Sequence, residues 1–222
     1  ANENLKALRQ LFDYAVDMFD LEFNPAKQVK YLASDNPEGF HCWTAAECAK
    51  FESYWPIGST PRLAFAIGIY TAQRRGDIVR VGDQFREAGE PYDFLDFVQS
   101  KNKERTPVSV SVPILPALEE IIERSETGEA TWLITKLGQP FTSDGIGTRF
   151  KKWTRAAGLP EHCALHGLRK AACGRMAEQG LTNHEIMAFT GHKTLKEVDR
   201  YTRAYNRKLA AISGAVKLAR AA

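Results

Sequence analysis

Five side chains stand where the surrounding pattern would prefer something else, and their types suit one kind of chemistry. Arg74 follows the most apolar stretch of the chain, residues 63–72. His166 and Arg169 are spaced i, i+3 and so share one helical face. His192 follows Gly191 at a helix boundary, and Tyr201 comes nine positions later. A guanidinium offers a permanently charged, planar fork to an oxyanion. An imidazole exchanges protons near neutral pH, and a phenol attacks once a base takes its proton. Gathered in one place, such groups could hold an anionic centre and carry out nucleophilic chemistry on it. Taken singly, each has a plainer use: an arginine after an apolar helix serves its C-terminal dipole, and a lone His or Tyr is a satisfied, half-buried side chain.

Bulk composition leaves the partner open. The chain has 222 residues, 44% hydrophobic and 26% charged, an ordinary globular balance. A chain of this length buries on the order of 70% of its unfolded surface, so a core forms without disulfides or metal. The formal charge of +3 is small, but it is unevenly spread: residues 1–100 carry 10 basic and 15 acidic side chains, and residues 101–222 carry 20 and 12. Between positions 149 and 208 there are 13 basic against 5 acidic residues. That excess suits a polyanion, whose neutralised phosphates release counterions; a solvated helical face is the ordinary alternative. The apolar run 63–72 is half the ~20 residues of a membrane span, and no cationic leader opens the chain. A cytoplasmic protein with no membrane partner is expected. Cysteines at 42, 48, 163 and 173 make no CxxC pair, so free buried thiols in a reducing compartment are expected. His162, Cys163 and His166 lack a second ligand pair at zinc spacing, and no metal site is expected.

The elements that must position these residues read as mostly helical. Leu5, Leu8, Leu11, Ala15 and Phe19 form one stripe, predicting a first helix over residues 2–19. A Pro-containing connector follows over 20–42. Thr44 and Glu47 have capping-box spacing, and Thr60 with Pro61 opens a further, apolar helix. Residues 92–100, and Val108, Val110 and Val112 alternating with Ser, read as two strands joined by a polar turn at 102–105. Leu115, Leu118 and Ile121 mark a helix, and 131–135 a short strand. From Ser143 onward helices are expected at about 144–157, 166–179, 182–189, 194–204 and 207–220. The expected fold is mainly α with a small antiparallel β-sheet, an α+β arrangement.

With this order of elements the chain resembles the tyrosine recombinases, also called phage integrases, from about residue 40 to 205. Thr71-Ala72-Gln73-Arg74-Arg75-Gly76-Asp77 resembles the first-arginine box, usually T-G-x-R-x-x-E. Gln99-Ser100-Lys101 is similar to the segment that carries a lysine at a β-turn. Leu165-His166-Gly167-Leu168-Arg169 matches the HxxR box, Thr190-Gly191-His192 is similar to L-G-H, and Tyr201 falls at the nucleophile's spacing. Ala72, Asp77 and Thr190 depart from the usual residues; Asp77 keeps a carboxylate able to orient an arginine, and the other two bear on packing rather than chemistry.

The resemblance implies a site-specific DNA recombinase working through a 3′-phosphotyrosyl intermediate, with no cofactor, metal or ATP. It assigns Arg74 and Arg169 to clamp the scissile phosphate, His192 to donate to it, and His166 to accept the proton of Tyr201. Lys101 would be general acid for the leaving 5′-oxygen, with Lys103 its rival; Tyr205, on the same helical face, is the rival to Tyr201. It implies residues 1–20 as the last helix of a truncated core-binding domain, 21–42 as linker, 43–205 as catalytic domain and 206–222 as a tail helix. Implied partners are double-stranded DNA, further protomers in a tetramer on that DNA, and accessory DNA-bending proteins. Two other readings share the residues: type IB topoisomerase-like strand relaxation, and a catalytically silent DNA-binding relative.

Overall fold

The structure is a computed structural model that describes residues 1–33, 39–101 and 103–221, without the side chains of 200, 203–206, 208–210, 213, 214, 217, 220 and 221. Part of the connector expected over 20–42, the Asn102 end of the hairpin turn, and the side chain of Tyr205 therefore lie outside the described residues. The chain divides into two units, Ala1–Gly39 and Phe40–Ala222.

The first unit is a helix with a strap. Helix α1 (Asn2–Met18) carries the expected apolar stripe, yet none of its residues is buried. The segment after it differs from the expected linker, because it folds back along α1. Arg9 Nε donates to the Ala26 carbonyl at 3.1 Å, and its Nη2 to that of Val29 at 2.6 Å. Asn24 Nδ2 reaches the Arg9 carbonyl at 2.8 Å and Asp13 at 3.0 Å. Polar groups on α1 thus satisfy backbone that the sequence pattern leaves without a partner.

In the second unit, α2 (Ala45–Tyr54) begins at the expected capping box: the Thr44 hydroxyl accepts from the Glu47 amide, and the Glu47 carboxylate accepts from the Thr44 amide. Helix α3 (Thr60–Thr71) is apolar on every side because it is surrounded, with Leu63, Phe65, Ile67 and Ile69 all buried. A short α4 (Arg75–Ile78) follows. Strands β1 (Arg86–Glu87), β2 (Phe94–Val98) and β3 (Ser109–Pro113) form one antiparallel sheet in that order. Leu95 pairs with Val112 and Phe97 with Val110, so these four share the buried face while Asp96, Ser109 and Ser111 face solvent. β1, two residues long, shows no alternation to read.

Helices α5 (Pro116–Glu123), α6 (Ser143–Ala156), α7 (Leu165–Glu178), α8 (Asn183–Thr190) and α9 (Leu195–Ala221) complete the unit. Two expectations differ from the structure. Residues 131–135 form no strand: Trp132 and Leu133 are buried in a loop, and pairing is limited to an isolated Ile134–Pro140 bridge. The helices expected at 194–204 and 207–220 are one, since neither Gly nor Pro interrupts 204–207 and Asn206 costs only a few tenths of a kcal/mol or so in a helix. The main core joins α2, α3 and α6 through Phe51, Phe65 and Phe150, with Trp43 packed among them and ring centroids 5.1 to 6.0 Å apart, and takes in Leu165, Leu168 and Ala171 of α7. A smaller cluster of Cys173, Ala177, Ile186 and Val198 joins α7, α8 and α9.

Candidate active site

Arg74 owes its place to a break in α3. Ala72 ends that helix in the left-handed region (φ 55°), after which Arg74 is extended and caps α4. The turned-out Ala72 carbonyl accepts from Arg169 Nη1 at 2.6 Å. Arg169 Nη2 lies 2.9 Å from the Thr190 carbonyl and 3.0 Å from His192 Nε2. One guanidinium, 4% exposed, therefore ties the ends of α3 and α8 to α7. Burial and the neighbouring Arg74 lower its pKa to about 10, which leaves it a cation at neutral pH.

Gln99, buried at the end of β2, is the second knot. Its Oε1 accepts from Arg74 Nη1, while its Nε2 donates to Gln73 Oε1 at 2.7 Å and the Thr190 carbonyl at 2.8 Å. Gln73 in turn donates to the carbonyls of Thr71 and Phe189. Gly191 must be glycine twice over: its φ is +67°, and a Cβ there would stand 2.8 Å from the Gln99 amide. Asp77, fully buried, accepts from the Ser100 amide at 2.7 Å and from Arg80 at 3.2 Å. Its carboxylate thus orients Arg80 rather than Arg74, and it anchors the backbone next to Lys101. Among the described residues neither Arg74 nor Arg169 pairs with a carboxylate.

The imidazoles are held neutral. His192 Nε2 faces Arg169, which can only donate, so Nε2 is the acceptor and Nδ1 carries the proton. That proton points to the Thr190 hydroxyl at 2.7 Å, which passes its own to the Ile186 carbonyl. Burial, then Arg169, pull His192 down to about 4. Thr190 therefore bears on the chemistry by fixing a tautomer, which corrects the expectation that it affects packing alone. His166 stands in the first turn of α7 with its ring 4.7 Å from that of Phe40. Burial, then Arg169 and Arg74, lower its pKa as well.

Arg74 stands where two cavities meet. A groove of about 710 Å³ is lined by Arg74, His166, Phe40, Arg75 and Lys151. A cleft of about 110 Å³ is lined by Arg74, Lys101, Lys193 and Gly191. Lys103 lines a different hollow, beside Arg80 and Arg105. Tyr201 is half-buried on α9, its ring 5.7 Å from that of His192 and 5.6 Å from Lys170 Nζ. Arg74, His166, Arg169, His192 and Tyr201 thus converge, with Lys101 reaching the same place across the smaller cleft. Gln73, Gln99 and Lys193 carry no signal in the sequence, because a glutamine or lysine just past the end of a helix or strand reads as solvated.

The four cysteines are free, and burial raises Cys48 and Cys173 to about 11 and Cys163 to about 12. His162 and Cys163 do not gather with His166. They meet His41 and Glu47 instead.

Comparison with known proteins agrees with this geometry. The model of the phage integrase family matches residues 50–208. Tyrosine recombinase XerC 2 of Ralstonia nicotianae (strain ATCC BAA-1114 / GMI1000) is 31% identical over 87 residues, which cover 39% of this chain and 25% of that protein. A lambda integrase dimer bound to a COC′ core site superposes with TM-score 0.72 at 21% identity, over 90% of this chain and 58% of that one. The Tn1549 transposon integrase in complex with circular intermediate DNA gives TM-score 0.71 at 17% identity, over 90% and 73%. This chain thus spans a quarter of the length of the curated relative and just over half of the lambda integrase chain. Helix order, sheet and matched residues agree: the chain belongs to the phage integrase family, the tyrosine recombinases.

Proposed function

We propose that this chain is the catalytic part of a site-specific DNA recombinase that cuts and rejoins DNA through a 3′-phosphotyrosyl ester. One observation carries the reading. Two guanidiniums, Arg74 and Arg169, are aimed by carbonyls and an amide rather than by carboxylates, so their charge is unspent until an anion arrives. A phosphodiester placed between them has its nonbridging oxygens met by planar forks, and such preorganised donors are worth roughly 3 kcal/mol each in a transition state.

The remaining roles follow from protonation. Tyr201 attacks phosphorus as its hydroxyl proton passes to neutral His166; the 5′-oxygen leaves with a proton from Lys101. The phosphotyrosyl ester keeps the energy of the broken bond, so religation by a 5′-hydroxyl needs no ATP. His192 accepts from Arg169 and orients it, and a phosphate arriving between the two favours its protonation and a direct hydrogen bond. These cations supply the charge a metal would bring, so cleavage proceeds in EDTA; loss of cleavage restored by magnesium would overturn this point.

We further propose that the full protein acts in the cytoplasm, on double-stranded DNA, as a tetramer with accessory DNA-bending proteins. No helix among the described residues is long and apolar enough to cross a membrane. Ile212, Val216 and Leu218 near the end of α9 are exposed, which supports docking of that helix on a neighbouring protomer. The net +8 of residues 101–222 supports weak, steeply salt-dependent DNA binding by this chain.

The deciding experiment uses a DNA substrate nicked near the scissile phosphate, so that cleavage traps the covalent adduct. The wild-type chain forms it, and Tyr201→Phe abolishes it while binding DNA equally well. An adduct that persists in Tyr201→Phe, or maps to Tyr205, would overturn the assignment.

A further inference from the structure

We propose that His41, Glu47, His162 and Cys163 form a zinc-binding site that staples the segment entering α2 to the loop entering α7. Donor atoms of all four lie within 4.8 Å of one another. Tetrahedral zinc asks for separations of roughly 3.3–3.8 Å between ligand atoms, so small side-chain rotations close the shell. Two imidazoles already address one carboxylate from its two oxygens: His41 Nε2 is 2.8 Å from Glu47 Oε2, and His162 Nε2 is 3.5 Å from Glu47 Oε1. The two rings are 4.2 Å apart, and the Cys163 thiol also hydrogen-bonds Glu47.

The donor set favours zinc over harder cations, since it offers sulfur, two imidazole nitrogens and one oxygen rather than a cage of oxygens. Charge balances too, with carboxylate and thiolate offsetting the two positive charges and both imidazoles neutral. Binding forms the metal–sulfur bond and releases one proton, from the Cys163 thiol, to solvent. Outer contacts are in place: the Thr44 amide and hydroxyl hold Glu47 Oε2 at 2.7 and 3.1 Å. His162, its side chain 55% exposed, gives the ion a way in.

The location gives the staple a purpose. Trp43 Nε1 donates to the Ala164 carbonyl at 3.0 Å, and Gly167 lies so close that a Cβ there would stand 2.3 Å from the His41 carbonyl oxygen. The pinned segment therefore presses on the first turn of α7, between His166 and Arg169. Zinc here fixes the helix that carries the site and takes no part in cleavage.

The test uses the full chain, tag-free and stripped by chelator, titrated with Zn²⁺ and separately with Co²⁺. Wild type takes up about one equivalent of zinc and melts higher with it, and its Co²⁺ form shows thiolate-to-metal charge-transfer absorption. Cys163→Ser removes that band, and His162→Ala weakens zinc binding roughly tenfold or more. Zinc uptake no greater than that of a chain carrying both Cys163→Ser and His162→Ala, or a Co²⁺ complex without the thiolate band, would overturn the proposal. Because Cys163 is fully buried and its replacement puts folding at risk, His162→Ala on the exposed side also decides alone: unchanged zinc affinity there would overturn the site.

Discussion

The two halves of the candidate site rest on cores of different weight. Arg74, His166 and Arg169 project from α3, α4 and α7, whose buried faces meet Phe51, Phe65, Phe150 and the residues around them. Tyr201 projects from α9, seated on Cys173, Ala177, Ile186 and Val198, with Met176, Leu181 and Met187 only partly buried around them. Stabilisation scales with apolar area removed from water, so the second seat is the weaker. Local opening begins where few apolar contacts hold an element. The arginines proposed to clamp the phosphate are thus built to stay put, and the tyrosine proposed to attack sits on the part that yields first. His192 is the seam, since it stands at the α8–α9 junction and bonds Arg169 across to α7.

Predictions can break this contrast or sharpen it. Phe150→Ala removes a fully buried ring from the large core and should cost about 3–5 kcal/mol, whereas Ile186→Val in the small cluster should cost about 0.5–1.5. Denaturant melts measure both; to narrow the difference in volume, Ile186→Ala, expected at the low end of the range of about 2–5 kcal/mol for such truncations, completes the comparison. Losses as large as that of Phe150→Ala would erase the contrast.

Gly167→Ala, on the clamp side, forces a methyl against the His41 carbonyl and Trp43, 2.3 and 2.8 Å away. About 1–3 kcal/mol of stability should go, as in other overpacked sites, and cleavage should fall with it. A melt equal to wild type would mean that the α7 contact gives way readily.

Acid tests the seam. Unfolded imidazoles titrate near 6.5, while folded His192 is lowered to about 4 and His166 is lowered too. Between those values the unfolded chain binds more protons, so stability rises with pH and is lost as pH falls from about 6.5 toward 4. Burial drives the shift first, Arg169, Arg74 and His166 add to it, and Glu197 opposes it. Melting temperature against pH should be flatter in His192→Gln, and an unchanged slope would place the titration elsewhere.

The smallest effect is expected at Ala72. Glycine there relieves a left-handed conformation worth about 1–2 kcal/mol but gives up one buried methyl, about 0.8 kcal/mol. Ala72→Gly should be neutral or more stable by about 1 kcal/mol, by the same melts; a clear loss would show that the methyl packs better than its area suggests.

Much of this was legible in the sequence because it is local or periodic. The Val110 and Val112 alternation, the Thr44–Glu47 box, the apolar α3 and the spaced arginine, histidine and tyrosine motifs each lie within a few residues. What escaped depends on partners far apart in sequence. Gln99 reads as a solvated strand end until Arg74, Gln73 and Thr190 are brought to it. Arg9 gathers the carbonyls of a strap some 20 residues on. Glu47 and His162 are separated by 115 positions, so no ligand spacing announces them. The loop at 131–135 reads as a strand because burial alone makes a short apolar run, whatever its backbone does.

Gln99 sets a limit on what the site can tolerate at a single atom. Its amide accepts once, from Arg74, and donates twice, to Gln73 and Thr190. Glutamate has the same outline but would put a negative charge against the arginine and set an acceptor against two acceptors. Exchanging one nitrogen for oxygen would therefore quench half of the clamp and unfasten the hairpin from α8 together. An uncharged residue that exchanges no proton itself decides whether the charge around it remains available.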